Sequence, residues 1–271
     1  VKYFLLCMLL LPVMRSEAQE LYIYTEPASN IPAKSISAKL SANYAEGMRG
    51  ESKGLVQRYR PEMYMGLSKN FMLRASGTFA NMHTSAFKFE SASLYGKYRF
   101  LSKDEAHRHF RMAAFADASV SKAPFRYDEI ALMGNKTGAE AGVIATQLIN
   151  KLAISGTVSH VQVLDKSRFE DAPLNLPYQA MNYFLSAGYL LFPRKYEDYR
   201  QTNFNIYTEI LAQQTLDTKR YYVDMAPGVQ FIFNSNSKLN LGYRFQLGSD
   251  MNRMARSSVQ LSFERTFFGA L

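Results

Sequence analysis

From Ser35 onward, apolar and polar residues alternate with a period of two along stretches of about ten residues, and the pattern recurs about twelve times. A β-strand sends successive side chains to opposite faces, so each stretch reads as a strand with one apolar and one polar side. Ile36, Ala38, Leu40, Ala42 and Tyr44 share one face, with Ser37, Lys39, Ser41 and Asn43 on the other. The next stretch sets Tyr59, Pro61, Met63, Met65 and Leu67 against Arg58, Arg60, Glu62, Tyr64 and Ser68, and a third sets Phe71, Leu73, Ala75, Gly77 and Phe79 against Met72, Arg74, Ser76 and Thr78. Further strands follow around Leu94, Ala114, Ile206, Val223, Leu241 and Leu261. Across 139–148, 152–161 and 181–191 both faces are apolar in places, and three more strands are assigned there on weaker contrast.

Length discriminates between the architectures open to such a pattern. Strands of globular sheets usually run about five or six residues, half the length seen here. Ten residues at roughly 3.3 Å each, tilted about 40°, rise about 25 Å, the height of the apolar band on a transmembrane barrel. A mean hydropathy of −0.21 does not oppose this, because alternation averages out. Beyond the first residues no apolar run approaches the roughly 18 needed for a spanning helix. Connections after odd-numbered strands, around 45–57, 81–87, 121–138, 162–177, 214–219 and 248–256, are longer than most of those after even ones. With periplasmic termini the long set is extracellular. Aromatics fall near strand ends, as at Phe71, Phe100, Phe233 and Phe267 on one side and Tyr44, Tyr59, Phe79 and Tyr221 on the other, the placement of rings at headgroup level.

Ahead of the strands, Lys2 precedes the apolar run 3–13, and Ser16 and Ala18 stand at minus three and minus one of a cut before Gln19. Residues 1–18 read as an export signal, 19–34 as a periplasmic or plug segment, and 35–271 as the barrel. Cys7 lies within the leader, so the mature chain is expected to hold no disulfide and no thiolate site. The leader, the long alternating strands and the closing run from Leu261 to Phe268 resemble Gram-negative outer-membrane β-barrels of porin-like type, and the stretch from Glu20 to Lys34 resembles barrels of Bacteroidota. The resemblance implies an all-β antiparallel barrel in the outer membrane whose last strand is read by the barrel-assembly machinery. Gly269, Ala270 and Leu271 depart from a terminal aromatic.

The polar face carries the functional expectation. In the first five strands it bears Lys39, Arg58, Arg60, Arg74, Lys97, Arg99 and Arg111 against Glu62 and Asp117; later it bears Glu140, Glu209, Asp224 and Glu264 against Lys238 and Arg244. Closing the sheet sets a mainly basic wall opposite a mainly acidic one, a transverse field suited to orienting polar solutes. The leading expectation is a narrow, weakly anion-favouring pore for small polar solutes. The competing one is that the charges pair across the interior and seal it, since twelve strands lie between filled and open barrels. Either the 121–138 connection or the 19–34 segment is long enough to enter the lumen.

Other classes are less well supported. The connections at 101–108 and 193–201 are longer and more charged than turns require, which suits a non-conducting subunit of a larger outer-membrane complex. His83 and Ser85 have the His-x-Ser spacing of outer-membrane phospholipases, but in a connection rather than on a strand. Four scattered histidines offer no metal-ligand spacing, and no cofactor is implied. A net charge of +9 raises nucleic-acid binding, yet the cations stand singly at period two rather than in a patch, which suits contact with anionic lipid or lipopolysaccharide better.

Overall fold

The computed structural model describes residues 22–49, 52–82, 86–123, 126–134, 136–165, 176–194 and 200–271. The assigned leader, Cys7, His83 and Ser85 lie outside these residues. Twelve strands form one closed antiparallel wall in chain order: β1 (Ser35–Arg49), β2 (Ser52–Gly66), β3 (Phe71–Ala80), β4 (Lys88–Asp104), β5 (Arg108–Ser121), β6 (Gly138–Ile149), β7 (Leu152–Val163), β8 (Gln179–Phe192), β9 (Asn203–Thr215), β10 (Tyr221–Phe233), β11 (Ser237–Ser249) and β12 (Ser257–Phe267). β1 closes on β12 with Lys39 opposite Glu264 and Leu40 opposite Phe263. Every backbone ladder finds a partner strand, which is what a bilayer without hydrogen-bonding solvent demands.

Two connections differ from the sequence reading. The strands flanking the first one run on to Arg49 and resume at Ser52, so a 45–57 loop contracts to a hairpin tip. The charged stretch 101–108 is mostly strand: β4 continues to Asp104, β5 begins at Arg108, and Glu105 N–H donates to the Arg108 carbonyl at 2.8 Å.

The alternation sorts the two faces as expected. Leu40 is 52% exposed and Leu241 48%, and with Leu94, Leu185, Leu261 and Phe263 they belong to the outer belt, whereas Ser41, Asn240 and Ser262 are buried inside. Ring pairs occur in both aromatic rows, Phe204 with Phe231 at 4.8 Å near the end where β1 begins and β12 ends and Phe79 with Phe89 at 5.3 Å near the opposite, loop end. A closed barrel with an apolar outer belt is a membrane-spanning surface, and the chain is an outer-membrane β-barrel.

Candidate functional site: the occupied lumen

Among the described residues two insertions occupy the lumen. Residues 22–34, here called the strap, lie in the lumen and leave it where β1 begins, at which point Lys34 N–H donates to the Gly66 carbonyl at 2.7 Å. Gly66 permits this passage, because a Cβ on it would lie 2.1 Å from the Pro32 carbonyl oxygen. Deeper in, Ile31 packs on Tyr64, Met72 and Tyr95, while Ala28 packs on Ala113 and Ile144, and Tyr22 and Ile23 pack on Ala153 and Tyr207. All these wall residues point inward from strands.

The polar contacts of the strap divide by wall. Glu26 faces the basic side, where Arg74 of β3 donates to its carboxylate and Lys97 of β4 lies 3.2 Å away. Burial pushes the Glu26 carboxyl up, but the charges of Lys97 and Arg74 outweigh it and hold the group below the usual carboxylate range. Lys97 is fully buried and also donates to the carbonyls of Pro27 and Ser29, each at 2.8 Å. On the other side, Glu209 of β9 accepts the backbone N–H groups of Ile23, Tyr24 and Thr25 at 3.0, 3.0 and 2.9 Å. Thr146 of β6 accepts the Ala28 N–H at 2.8 Å, and Arg111 of β5 donates to Ser29 Oγ at 3.0 Å.

The second insertion is the 122–137 connection between β5 and β6. Ile130 and Leu132 pack on Val161, Val163, Leu176 and Ala180. Gln213 of β9 pairs with the Ile130 backbone through both ends of its amide, accepting from N–H at 2.9 Å and donating to the carbonyl at 2.8 Å. Gly134 turns at φ +122°, where a Cβ would be strained and would also meet Thr78 at 2.9 Å. Asp128 receives Arg220 at 2.6 Å and the Asn252 N–H at 2.7 Å. Glu129 meets Arg244 and Arg253, each at 3.3 Å. Between strap and loop a cavity of about 160 Å³ is lined by Ile23, Tyr24, Arg58, Arg60, Glu129 and Arg244, among others.

The remaining wall charges lie as follows. Lys39 and Arg60 approach Glu62 at 3.8 and 3.0 Å, Arg58 approaches Glu90 at 4.0 Å, and Arg74 also meets Asp117 at 3.2 Å. Arg99 donates to the Lys69 carbonyl at 2.8 Å, and Arg111 reaches Asp104 at 3.0 Å. On the acidic side Glu140 accepts from Ser159 and Asn182, Asp224 from Arg244 and Arg253, and Glu264 from Ser37 and Lys238. Glu26, Asp128, Glu129 and Arg253 were not singled out from sequence because they stand on connections, where no periodicity marks a face. His109 Nδ1 and Asp104 stand 2.9 Å apart at one strand level, and Ser102 donates to the same carboxylate at 3.0 Å.

No family model and no curated protein matches the sequence. Solved structures do. The COG4313 outer membrane channel from Pseudomonas putida F1 matches at TM-score 0.60 with 11% identity, covering 91% of this chain and 100% of that one. The KdgM porin matches at TM-score 0.53 with 8% identity, covering 85% and 99% respectively. At such identities the likeness establishes a shared fold, that of porin-type outer-membrane barrels.

Proposed function

We propose that this protein is a gated outer-membrane channel for small polar solutes, closed in the present state by the strap and the 122–137 loop. One observation carries the reading: the wall is complete without either insertion. Among the described residues every strand belongs to the closed cylinder, and both insertions are held largely by wall side chains, with isolated backbone bonds, as at Lys34 and Asp128, and no strand pairing. Either can withdraw without opening a barrel seam. The cationic excess on β1–β5 supports a weak preference for anions, and the names of the two matched structures, a channel and a porin, support conduction. With the termini in the periplasm, the loop end faces the outside.

Recording from purified protein in planar bilayers tests this. Discrete openings are expected, more frequent once Arg253→Ala unfastens the loop, with a reversal potential in a salt gradient that moves toward cations in Arg58→Gln/Arg60→Gln. The ion pairs that join the wall to the strap and to the loop favour a rival reading, a non-conducting structural barrel. Silence from wild type and from both variants would establish that rival.

A further inference from the structure

We infer that the lumenal wall contacted by the strap is a binding site for an acidic peptide bent so that three consecutive amides face one carboxylate, with the strap as its built-in occupant. The inference rests on the reading that the strap can leave the lumen. Many polar contacts to 23–29 fall on backbone groups, namely the N–H groups of Ile23, Tyr24 and Thr25 on Glu209, that of Ala28 on Thr146, and the carbonyls of Pro27 and Ser29 on Lys97, beside side-chain bonds between Thr25 and Ser186 and from Arg111 to Ser29. The backbone contacts do not depend on side-chain identity, so a peptide that takes the same bent path can make them. Glu26 supplies the one charged side chain, received by Arg74 and Lys97.

The two walls together select a chemical class. Once the strap withdraws, Arg74 and Lys97 attract any carboxylate. Glu209, fully buried, has the opposite need: it requires N–H donors, which the strap provides from three consecutive residues. An inorganic anion or a simple polycarboxylate satisfies the first pair and leaves Glu209 facing more negative charge. A peptide with an acidic residue directly after three free amides satisfies both. Ala153 and Tyr207 favour an apolar side chain at the position of Ile23, and Gly242 makes room there, since a Cβ on it would lie 3.1 Å from Ile23 and 3.2 Å from Tyr24.

The probe is the octapeptide of residues 22–29, blocked at both ends and fluorescently labelled, used beside a version with Gln at the Glu26 position and one N-methylated at the three amides of 23–25. The receptor is full-length protein carrying Glu26→Lys, which sets a cation against Arg74 and Lys97 and expels the strap. Anisotropy is expected to show saturable binding of the parent peptide at least about tenfold tighter than of either modified peptide, and at least about tenfold tighter than to wild type. The isosteric Glu26→Gln protein, which keeps the packing of the strap, is expected to give the same order with a smaller gain. Equal binding of all three peptides, no binding to either variant, or equal binding to wild type overturns the inference. Conductance measured in parallel separates this from the channel reading: openings without peptide binding sink the peptide site alone, whereas binding without openings supports the site and sinks the channel.

Discussion

Arg253, on the connection before β12, grips Asp224 of β10 through two nitrogens, Nη1 to Oδ1 at 2.6 Å and Nη2 to Oδ2 at 2.7 Å. Fork-to-fork pairing of this kind fixes direction as well as distance, and the guanidinium lies 4.0 Å over the Tyr222 ring. Because Arg253 also meets Glu129 at 3.3 Å, it ties the 122–137 loop to the wall. Arg253→Ala takes from the buried Asp224 and the half-buried Glu129 a cation that both share, leaving Arg244 to pair with each and Arg58 to act on Glu129 from farther away, and removing one member of such a cluster typically costs about 3–5 kcal/mol. The open fraction in single-channel records is expected to rise several-fold, with the barrel intact by its gel mobility before heating. An unchanged open fraction would show that the loop is not a gate.

The two faces of β12 differ in what they tolerate. Leu261 is exposed on the outer belt, while its neighbour Gln260 lines the cavity. Leu261→Arg is expected to lower the stability of the barrel in vesicles by about 2–4 kcal/mol, and Gln260→Arg by much less. Denaturant titration of the two proteins measures the difference. Equal losses would mean that the register of β12 is wrong.

An inward polar residue is not always a permissive one. Gln230 accepts from Asn205 at 3.0 Å and donates to Asn240 at 2.8 Å, and Asn240 donates to Ser262 at 3.1 Å, a chain of amides running around the inside of β9 to β12. Gln230→Leu takes the partner from Asn205 Nδ2 and from Asn240 Oδ1, and an orphaned buried polar group costs about 1–3 kcal/mol. The same titration is expected to show this loss, larger than that of Gln260→Arg. A water-soluble thiol reagent is accordingly expected to label a cysteine at Gln260 faster than one at Asn240, although both face inward.

The barrel was legible in the sequence because lipid imposes one rule on every strand, and a period of two records it directly. The plugging was recorded too, in residues that break the rule. Tyr64, Met72 and Tyr95 stand on the polar face, where a wet lumen has no use for them; the structure packs Ile31 of the strap against all three. The weak alternation across 139–148 and 152–161 has the same origin. Ile144 and Ala153 receive the strap, and Val161 receives Ile130 and Leu132 of the loop, so both faces of those strands touch apolar material. What periodicity could not supply was the partner of each charge. Glu26 and Glu129 lie on segments of irregular backbone, and which cation each meets is fixed by how far the strap and the loop reach into the barrel.

Two groups on the loop give its docking a pH dependence of opposite signs. Burial pushes the Glu129 carboxyl up, but Arg253 and Arg244 overcome that and hold it at about 2, against 4.5 for the free group. A docked carboxyl held low binds fewer protons than a released one. Its contribution to docking is therefore complete above about pH 4.5 and is lost as the pH falls through about 2. Lys136 works the other way: burial lowers its amine to about 8 from 10.5 despite the pull of Asp128, so the released loop binds more protons in that interval and docking strengthens as the pH rises through it. Channel openings are thus expected to be steady between about pH 5 and 7.5, to become more frequent toward pH 3 and to become rarer above about pH 8. Glu129→Gln is expected to abolish the acid limb and leave the alkaline one, and Lys136→Met to do the reverse. Openings that become rarer on acidification in wild type, or an acid limb that persists in Glu129→Gln, would show that the Glu129 contact does not hold the loop in place.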